Sequence, residues 1–222
     1  MNCNYQHYII TRFSLIIKGQ VPSDEWYKQR LEVFRKYTLP SVLGQTDQNF
    51  KWICLIGQEQ DKKYFDNTPI IPLLVTPQQN FKGRIRTFFE RYCSTQWLIT
   101  TRLDNDDALN RNYVKLVHRL PLGKDYVVNY VNGVVVDDET GQLFDRRILY
   151  PNPFITLIER PSQLKTVYFV KHGDMNQHFI INNFTIANMW LMVCHEFNLA
   201  NTVMGKISGI QHLGKLGFST KT

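Results

Sequence analysis

The chain has 222 residues, of which 43% are hydrophobic and 13% aromatic, so we expect one globular domain without room for a second full one. Its formal net charge of +7 favours anionic partners, such as a nucleotide diphosphate, an acidic glycan, nucleic acid or a lipid surface. The longest apolar runs are too short to cross a bilayer, no signal peptide is visible, and the four cysteines show no C-x-x-C spacing, which indicates a cytoplasmic protein with reduced thiols.

The amino-terminal part of the sequence alternates strand and helix patterns. Residues 7–17 are apolar and β-branched, which predicts a first strand with Arg12 and Ser14 at its ligand-facing end. Ser23 can cap the next helix, because two acidic residues that favour the helix dipole follow it. The predicted buried stripe of this helix consists of Tyr27, Leu31 and Phe34.

The next fifty residues predict two more strands and a second helix. We expect Pro40 to interrupt the first helix and residues 50–56 to form the second strand. A short strand at 73–75 lies in a stretch that contains three prolines. An amphipathic helix follows, with Arg84 on its polar side and an apolar face formed by Ile85, Phe88, Phe89 and Tyr92.

The most informative stretch is W-L-I-T-T-R-L-D-N-D-D-A-L at residues 97–109. Its apolar start predicts a buried strand that leads into Asp104 and Asp106. Alternate side chains of an extended segment share a face, so these carboxylates can point the same way. Two converging oxygen ligands suit Mg2+ or Mn2+, whose other positions are filled by water and phosphate oxygens. Arg102 can reach either the carboxylates or a nucleotide.

The same acidic loop has a second interpretation. A turn followed by a helix cap has a similar composition, and from the loop alone we give the two interpretations equal weight. Asp107 is the candidate cap for a helix predicted over residues 108–120. The apolar stripe of that helix would be Leu109, Tyr113, Leu116, Val117 and Leu120.

The second half of the sequence is less regular. Residues 126–137 predict a strand broken by a kink, and Asn132-Gly133 within it is an alternative hairpin turn. We prefer a turn at 138–141, with residues 142–147 as the returning strand. Residues 152–159 show loop-to-helix character.

The predicted element order places the acidic motif outside the carboxyl ends of strands, where open α/β sheets bind ligands. The chain here resembles the glycosyltransferases of GT-A fold, whose D-x-D motif holds a metal and the diphosphate of a sugar nucleotide. More closely, it resembles a bacterial family of rhamnosyltransferases. The segments that carry this resemblance are I-I-T-R-F-S (9–14), L-P-S-V-L-G-Q-T-D-Q-N-F-K-W (39–52), W-L-I-T-T-R-L-D-N-D-D-A-L (97–109), N-P-F-I-T-L-I-E (152–159) and W-L-M-V-C-H-E-F-N (190–198).

The resemblance implies an α/β fold, a GT-A-like open mixed sheet flanked by helices, in a single domain over residues 1–222. We expect a nucleotide-sugar half at 1–120, an acceptor half at 121–205 and a mobile tail at 206–222. The implied enzyme is a metal-dependent, inverting glycosyltransferase of the hexosyltransferase type. It would move a sugar, with rhamnose as a candidate, from a nucleotide diphosphate donor to a glycan or lipid-linked acceptor. We expect peripheral contact with the inner membrane face and no nucleic-acid partner.

The resemblance also assigns roles to individual residues. The cofactor would be Mn2+ or Mg2+, held by Asp104 and Asp106 with His195 as a third ligand, because a carboxy-terminal histidine completes the metal shell in some GT-A enzymes. A histidine packed in a core helix is the alternative for His195. The expected substrate-binding residues are Arg12, Arg84, Arg102, Asp104 and His172, and a solvated helix face is the alternative for Arg84.

Inverting transfer requires a carboxylate that takes the proton of the acceptor hydroxyl. The candidates are Asp137, Asp138 and Glu159, and Glu159 leads because a family-like segment ends on it. A structural salt bridge to an arginine is its alternative. Related enzymes often place an acidic residue at the end of the second strand to recognise the base, whereas this strand ends in I-G-Q-E at residues 56–59, so the base stays open.

Three other classes of function fit parts of the sequence. A metal-dependent nuclease would use the same carboxylates with the basic surface, but it usually gathers more of them. A nucleotidyltransferase usually carries a Gly-rich basic loop near its amino terminus, which is absent before Tyr27. A non-catalytic sugar-binding module would bind a donor without cleaving it.

Overall fold

The computed structural model of the protein describes residues 4–16, 21–76, 78–196 and 202–220, to which all structural statements below refer. The strands are β1 (Tyr5–Ser14), β2 (Lys51–Ile56), β3 (Ile70–Leu74), β4 (Trp97–Asp104), β5 (Ala108–Leu109), β6 (Tyr126–Tyr130), β7 (Asn132–Asp137), β8 (Leu143–Arg147), β9 (Thr156–Glu159), β10 (Ile181–Phe184), β11 (Trp190–Cys194) and β12 (Lys206–Ile207). The α-helices are α1 (Asp24–Val33), α2 (Leu39–Leu43), α3 (Phe81–Tyr92), α4 (Tyr113–Val117) and α5 (Leu213–Leu216). The other helical segments are a π-helix at Phe34–Thr38 and 3-10 helices at Glu59–Phe65 and His172–Gln177.

Seven of these strands form a mixed central sheet in the order β10-β6-β9-β4-β1-β2-β3. Strand β1 is parallel to both of its neighbours, β2 and β4, whereas β9 runs antiparallel between β4 and β6. The chain moves outward from β1 to β3 on one side and returns to β4 on the other, so the strand order reverses between β1 and β4. The predicted α/β fold with an open mixed sheet is confirmed.

Different helices cover the two faces of the central sheet. On β1, Ile9 and Phe13 point to one face and pack against the buried residues of α1. Tyr8 and Ile10 point to the opposite face and pack against α3, with the rings of Tyr8 and Phe89 4.8 Å apart. Successive side chains of a strand point to opposite faces, which is why the apolar run of β1 is buried on both.

Five strands form a second sheet in the order β12-β8-β7-β11-β5. The strand predicted over 126–137 divides at Val131 into β6 and β7, which belong to different sheets, so Asn132-Gly133 is not a hairpin turn. The preferred turn is confirmed, because β7 and β8 pair antiparallel across residues 138–142 and Gly141 takes a left-handed φ of 72°. Gly133 serves packing instead, since a Cβ atom there would lie 2.0 Å from the Trp190 ring.

The first helix begins as predicted, with the Ser23 hydroxyl accepting the Trp26 N–H at 3.2 Å. Its predicted stripe is also confirmed, because Tyr27, Leu31 and Phe34 are buried. The expected interruption at Pro40 is wrong. The chain passes from α1 through the π-helix directly into α2, where Pro40 occupies the first turn and its missing N–H costs no helical hydrogen bond.

Two further predictions of secondary structure are wrong. The helix expected over 108–120 is reduced to α4, because Ala108 and Leu109 pair with Leu191 and Trp190 of β11 as the short strand β5. Residues 156–159 form β9 rather than a helix. This strand is buried along its whole length, and a short continuous apolar run does not distinguish a buried strand from a buried helix.

The segment expected to be a mobile tail contains regular structure in the residues that the structure describes. Lys206 and Ile207 pair with β8, and α5 follows. Leu216 and Phe218 are buried against β7 and β11, so this segment is part of the fold.

Cys54, Cys93 and Cys194 are free thiols, and Cys3 lies outside the described residues. Across the described ranges, the helices are all too short or too polar to span a bilayer.

Candidate active site

The candidate site lies at the carboxyl ends of β1 and β4. The register pairs Arg12 with Asp104, so the last residue of the acidic strand stands beside the end of the first strand. Because the strand order reverses here, the two ends border the crevice at which open α/β sheets bind ligands. The predicted position of the acidic motif is therefore confirmed by the strand arrangement.

The carboxylate of Asp104 is held between two arginines. Arg12 Nη2 lies 3.1 Å from its Oδ1, and Arg102 Nη2 lies 2.6 Å from its Oδ2. Burial opposes ionisation of Asp104, but the charges of Arg102 and Arg12 outweigh burial and lower its pKa. Both carboxylate oxygens are thus engaged by guanidinium groups.

Tyr168 and His172 lie beside these three residues. We call the five residues together the arginine cluster, namely Arg12, Arg102, Asp104, Tyr168 and His172. The guanidinium carbons of Arg12 and Arg102 lie 5.6 and 5.8 Å from the centre of the Tyr168 ring. Arg102 Nη1 lies 2.6 Å from Nδ1 of His172. Burial, and then the charge of Arg102, lower the pKa of His172 to about 4, so the ring is neutral at pH 7 and Nδ1 accepts this hydrogen bond.

The arginine cluster carries an excess of one positive charge, since two guanidinium groups face one carboxylate and a neutral imidazole. In addition, the buried Nε atoms of Arg12 and Arg102 have no hydrogen-bond partner within the described ranges. Guanidinium groups match the geometry of phosphate oxygens. The arrangement is therefore suited to a phosphate-bearing ligand.

Asp106 belongs to a neighbouring group of side chains. Its Oδ2 lies 2.6 Å from Nη1 of Arg30 and 3.3 Å from Nε2 of His195. The guanidinium carbon of Arg30 also lies 5.4 Å from the centre of the Trp26 ring. The structure thus brings Asp106 and His195 together, as the resemblance implied, and adds an arginine from α1.

Asp107 is not a helix cap. Its Oδ1 accepts the N–H of Val193 at 3.0 Å, which ties the acidic loop to β11 of the second sheet. Burial and then the neighbouring charges of Asp106 and Asp104 raise its pKa well above the usual value. This side chain therefore has a structural role between the two sheets.

Of the three candidate bases, Asp138 interacts electrostatically with His195, which adjoins Asp106. Its Oδ1 accepts hydrogen bonds from Nζ of Lys36 and the hydroxyl of Tyr37, both at 2.6 Å. Burial opposes its ionisation, but these hydrogen bonds and the nearby charges, including that of His195, lower its pKa. Asp137 instead accepts the N–H of Glu139 and the hydroxyl of Thr140 within the β7–β8 turn.

Glu159 is not brought together with the aspartates. It pairs with Leu98 at the start of β4, six residues before Asp104, which corresponds to about 20 Å along the strand. Burial raises its pKa to about 7, against the effect of two backbone N–H donors. The leading candidate base therefore lies at the opposite edge of the sheet, and its raised pKa follows from burial.

Arg84 also lies outside the arginine cluster. Its Nε donates to the carbonyl oxygen of Leu74 at the end of β3, and β3 is two strands from β1, about 10 Å away. The described part of the chain also contains a surface cavity of about 420 Å³. It is lined by Asn132, Arg147, Asn188 and Ile210, at the end of β7 opposite to Asp137.

The residues that sequence reasoning missed are Arg30 and Tyr168. Arg30 lies one helical turn after Trp26 on α1, which is a spacing without functional meaning by itself. Tyr168 lies in an irregular segment. No local pattern of the sequence marks either residue, because both reach the site through the folding of distant segments.

The predicted metal site has Asp104, Asp106 and His195 as its ligands. Across the parts of the chain that the structure describes, His, Cys, Asp and Glu side chains form no group of three or more placed to hold a metal. Asp104 is engaged by its two arginines, whereas Asp106 and His195 adjoin each other. Of the three predicted ligands, Asp106 and His195 are therefore the two that could hold an ion together.

Comparison with known proteins identifies one sequence family. The family described as "Putative rhamnosyl transferase" matches residues 6–207. A search of curated proteins finds no significant match.

Several solved structures share a distant similarity of fold. The inositol-1-phosphate CTP transferase from T. maritima is 10% identical, with 86% of this chain and 90% of that chain covered and a TM-score of 0.43. S. aureus TarS 1-349 in complex with UDP-GlcNAc is 10% identical, with 89% and 62% covered and a TM-score of 0.47. HddC from Yersinia pseudotuberculosis complexed with GMP-PN is 11% identical, with 83% and 92% covered and a TM-score of 0.45. This chain thus spans less than two thirds of TarS 1-349, and similarities of this size identify neither a substrate nor a mechanism.

Proposed function

The chain belongs to the rhamnosyl transferase family, and we propose that it transfers a sugar from a nucleotide diphosphate donor to a hydroxyl group of a glycan or lipid-linked acceptor. The observation that carries this proposal is the arginine cluster at the strand-order reversal. Rhamnose is the proposed sugar because of the family description. We propose that the transfer inverts the configuration at the anomeric carbon of the sugar and that it takes place on a GT-A-like fold.

The arginine cluster would bind the diphosphate of the donor. Arg12 and Arg102 are already oriented by Asp104, so little ordering is needed when phosphate oxygens arrive. As the bond between sugar and phosphate breaks, negative charge grows on the leaving diphosphate. Fixed guanidinium groups stabilise that charge more in the transition state than in the ground state, which accelerates transfer.

Asp106 and His195 are the residues that would hold Mn2+ or Mg2+. A carboxylate and an imidazole are acceptable ligands for Mn2+, and water and diphosphate oxygens would supply the remaining positions. The ion would contribute Lewis-acid neutralisation of the leaving group. Arg30 occupies the same carboxylate oxygen in this structure, so it must share or yield Asp106 when a cation binds.

Asp138 is the proposed base, with Asp137 as the alternative. Its lowered pKa keeps it ionised at neutral pH, which is the state that accepts a proton. The proton of the acceptor hydroxyl would pass to this carboxylate as the oxygen attacks the anomeric carbon. Lys36 and Tyr37, both in the π-helix, hold the carboxylate in place.

The place of action is proposed to be the cytoplasm, with peripheral contact at the inner membrane face. The net charge of +7 supports attraction to an anionic surface. Exposed apolar residues in and just before β12 support it too, since Met204 and Ile207 are 56% and 59% exposed. We expect no nucleic-acid partner.

The test is a calorimetric titration of the protein with UDP-, GDP- and dTDP-linked sugars in the presence of Mn2+. Arg102→Ala should weaken binding of the preferred donor at least tenfold, because a hydrogen bond from a guanidinium group to a phosphate oxygen is worth about 1.5–3 kcal/mol. Arg86→Ala is the matched control, since Arg86 is exposed and forms an ion pair with Glu90 on the same helix. Equal affinity of both variants would contradict the proposal.

A further inference from the structure

Glu159 holds a backbone segment rather than a substrate. Its Oε2 accepts the N–H of Lys165 at 2.9 Å, and its Oε1 accepts the N–H of Thr166 at 2.7 Å. The side chain is fully buried. Both oxygens of one carboxyl group are therefore used to fix two consecutive peptide groups of what we call the 160–172 loop.

The held backbone is strained at this point. Leu164 and Thr166 adopt positive φ angles of 40° and 59°. Residues other than glycine rarely take this conformation, and it is least favourable for a β-branched residue such as threonine. Such conformations persist where surrounding contacts fix them, and they cluster at functional sites. The carboxyl group of Glu159 helps to fix this one through the N–H groups of Lys165 and Thr166.

The loop runs from this anchor into the arginine cluster. Directly after the strained residues, the N–H of Val167 donates to Oγ1 of Thr100 at 2.9 Å. The next residue is Tyr168, whose hydroxyl donates to the carbonyl oxygen of Ile10 at 3.3 Å and whose ring lies against both guanidinium groups. Four residues later, His172 contacts Arg102. One segment thus joins the far edge of the sheet to the candidate site.

We propose that Glu159 is a positioning residue of the donor site, which fixes the 160–172 loop so that Tyr168 and His172 hold Arg12 and Arg102 in the orientation that receives a diphosphate. This inference rests on the proposed function. It also explains why a buried acidic residue lies at the edge of the sheet opposite to the acidic motif. Glu159 acts through Tyr168 and His172 and does not touch the donor.

The experiment compares Glu159→Ala and Glu159→Gln with the control Asp125→Asn. Asp125 also accepts a backbone N–H, that of Arg160, but it is not bonded to the strained residues. Alanine removes both acceptors, whereas glutamine keeps the size of the side chain and one acceptor oxygen. The glutamine variant therefore tests the role if the alanine variant does not fold.

Two measurements are made on each variant. The first is the shift of the ring resonances of His172 in nuclear magnetic resonance spectra, which reports the position of the loop without any ligand. The second is the dissociation constant of the nucleotide diphosphate, UDP, GDP or dTDP, that the parent binds best. We expect Glu159→Ala to shift the His172 resonances and to weaken binding at least tenfold, Glu159→Gln to give intermediate values, and Asp125→Asn to change binding less than twofold.

The outcomes separate the two proposals. Unchanged His172 resonances in Glu159→Ala and Glu159→Gln would overturn the positioning role, and so would shifted resonances with parental affinity. If the parent binds none of the three nucleotides while the resonances shift as expected, the proposed function fails, and the control of the loop by Glu159 is supported on its own.

Discussion

At the scale of single residues, the acidic motif is neutralised by arginines from three different elements. Arg12 comes from β1, Arg30 from α1 and Arg102 from β4 itself. The spacing of Asp104 and Asp106 suggested two ligands for one cation. Instead, each carboxylate forms its own group of contacts, because the strand ends at Asp104 and the turn that follows redirects Asp106.

Arg30 and a cation compete for Asp106, so substitutions of Arg30 and of Asp106 should change the affinity for Mn2+ in opposite directions. Asp106→Asn should weaken Mn2+ binding, because it removes the charged ligand. Arg30→Gln should strengthen it, because it removes a guanidinium group 2.6 Å from the ligand oxygen. Calorimetric titration of Mn2+ without nucleotide measures both effects, with Asp145→Asn as an exposed control on β8. The same affinity in all four proteins would show that the cation does not bind at Asp106.

Some residues of the candidate site were predictable from the sequence, and the reason is their place on strands. Arg12, Arg102 and Asp104 lie at strand ends whose parallel arrangement follows from the alternation of strands and helices. Glu159 was misplaced because its strand was predicted as loop and helix, which left the strand direction unknown. Its antiparallel pairing with β4 carries it to the opposite edge.

At the scale of elements, the second sheet was the least predictable part of the fold. Its strands β5 and β12 have two residues each, too few for any periodicity. They form because backbone groups of longer neighbours are available for pairing. The sequence predicts the strands β7 and β8 and the turn between them. It does not predict the partner strand β11, which joins this sheet to the acidic loop through Asp107.

Gly133 provides a test of this second sheet. A methyl group at this position would overlap the Trp190 ring, whose nearest atom lies 2.0 Å from the Cβ position. Gly133→Ala should therefore lower the free energy of unfolding by about 1–3 kcal/mol, the usual cost of overpacking. Gly123→Ala is the control, because a Cβ atom there meets nothing within 4 Å. Chemical denaturation of both variants gives the comparison, and equal stability would mean that β7 and β11 do not approach as described.

At the scale of the whole molecule, the order of the strands decides where chemistry can occur. The reversal between β1 and β4 creates one crevice at the carboxyl edge, and it gathers Arg12, Asp104 and Asp106 from segments far apart in the sequence. The 160–172 loop reaches the same crevice from the opposite edge. The alternation of strands and helices up to the acidic strand could be predicted from the sequence, whereas the path of this loop depends on tertiary contacts of buried side chains.

The arginine cluster is proposed to stabilise a departing nucleotide diphosphate. The most direct measurement is the slow release of nucleotide diphosphate from sugar nucleotides, with water replacing the acceptor, in the presence of Mn2+. The parent and Arg86→Ala should release it at equal rates, and Arg102→Ala should be slower by at least tenfold, since loss of a transition-state contact worth about 1.4 kcal/mol or more costs that factor. Equal release by parent and Arg102→Ala, or no release by the parent from UDP-, GDP- or dTDP-linked sugars, would contradict the claim.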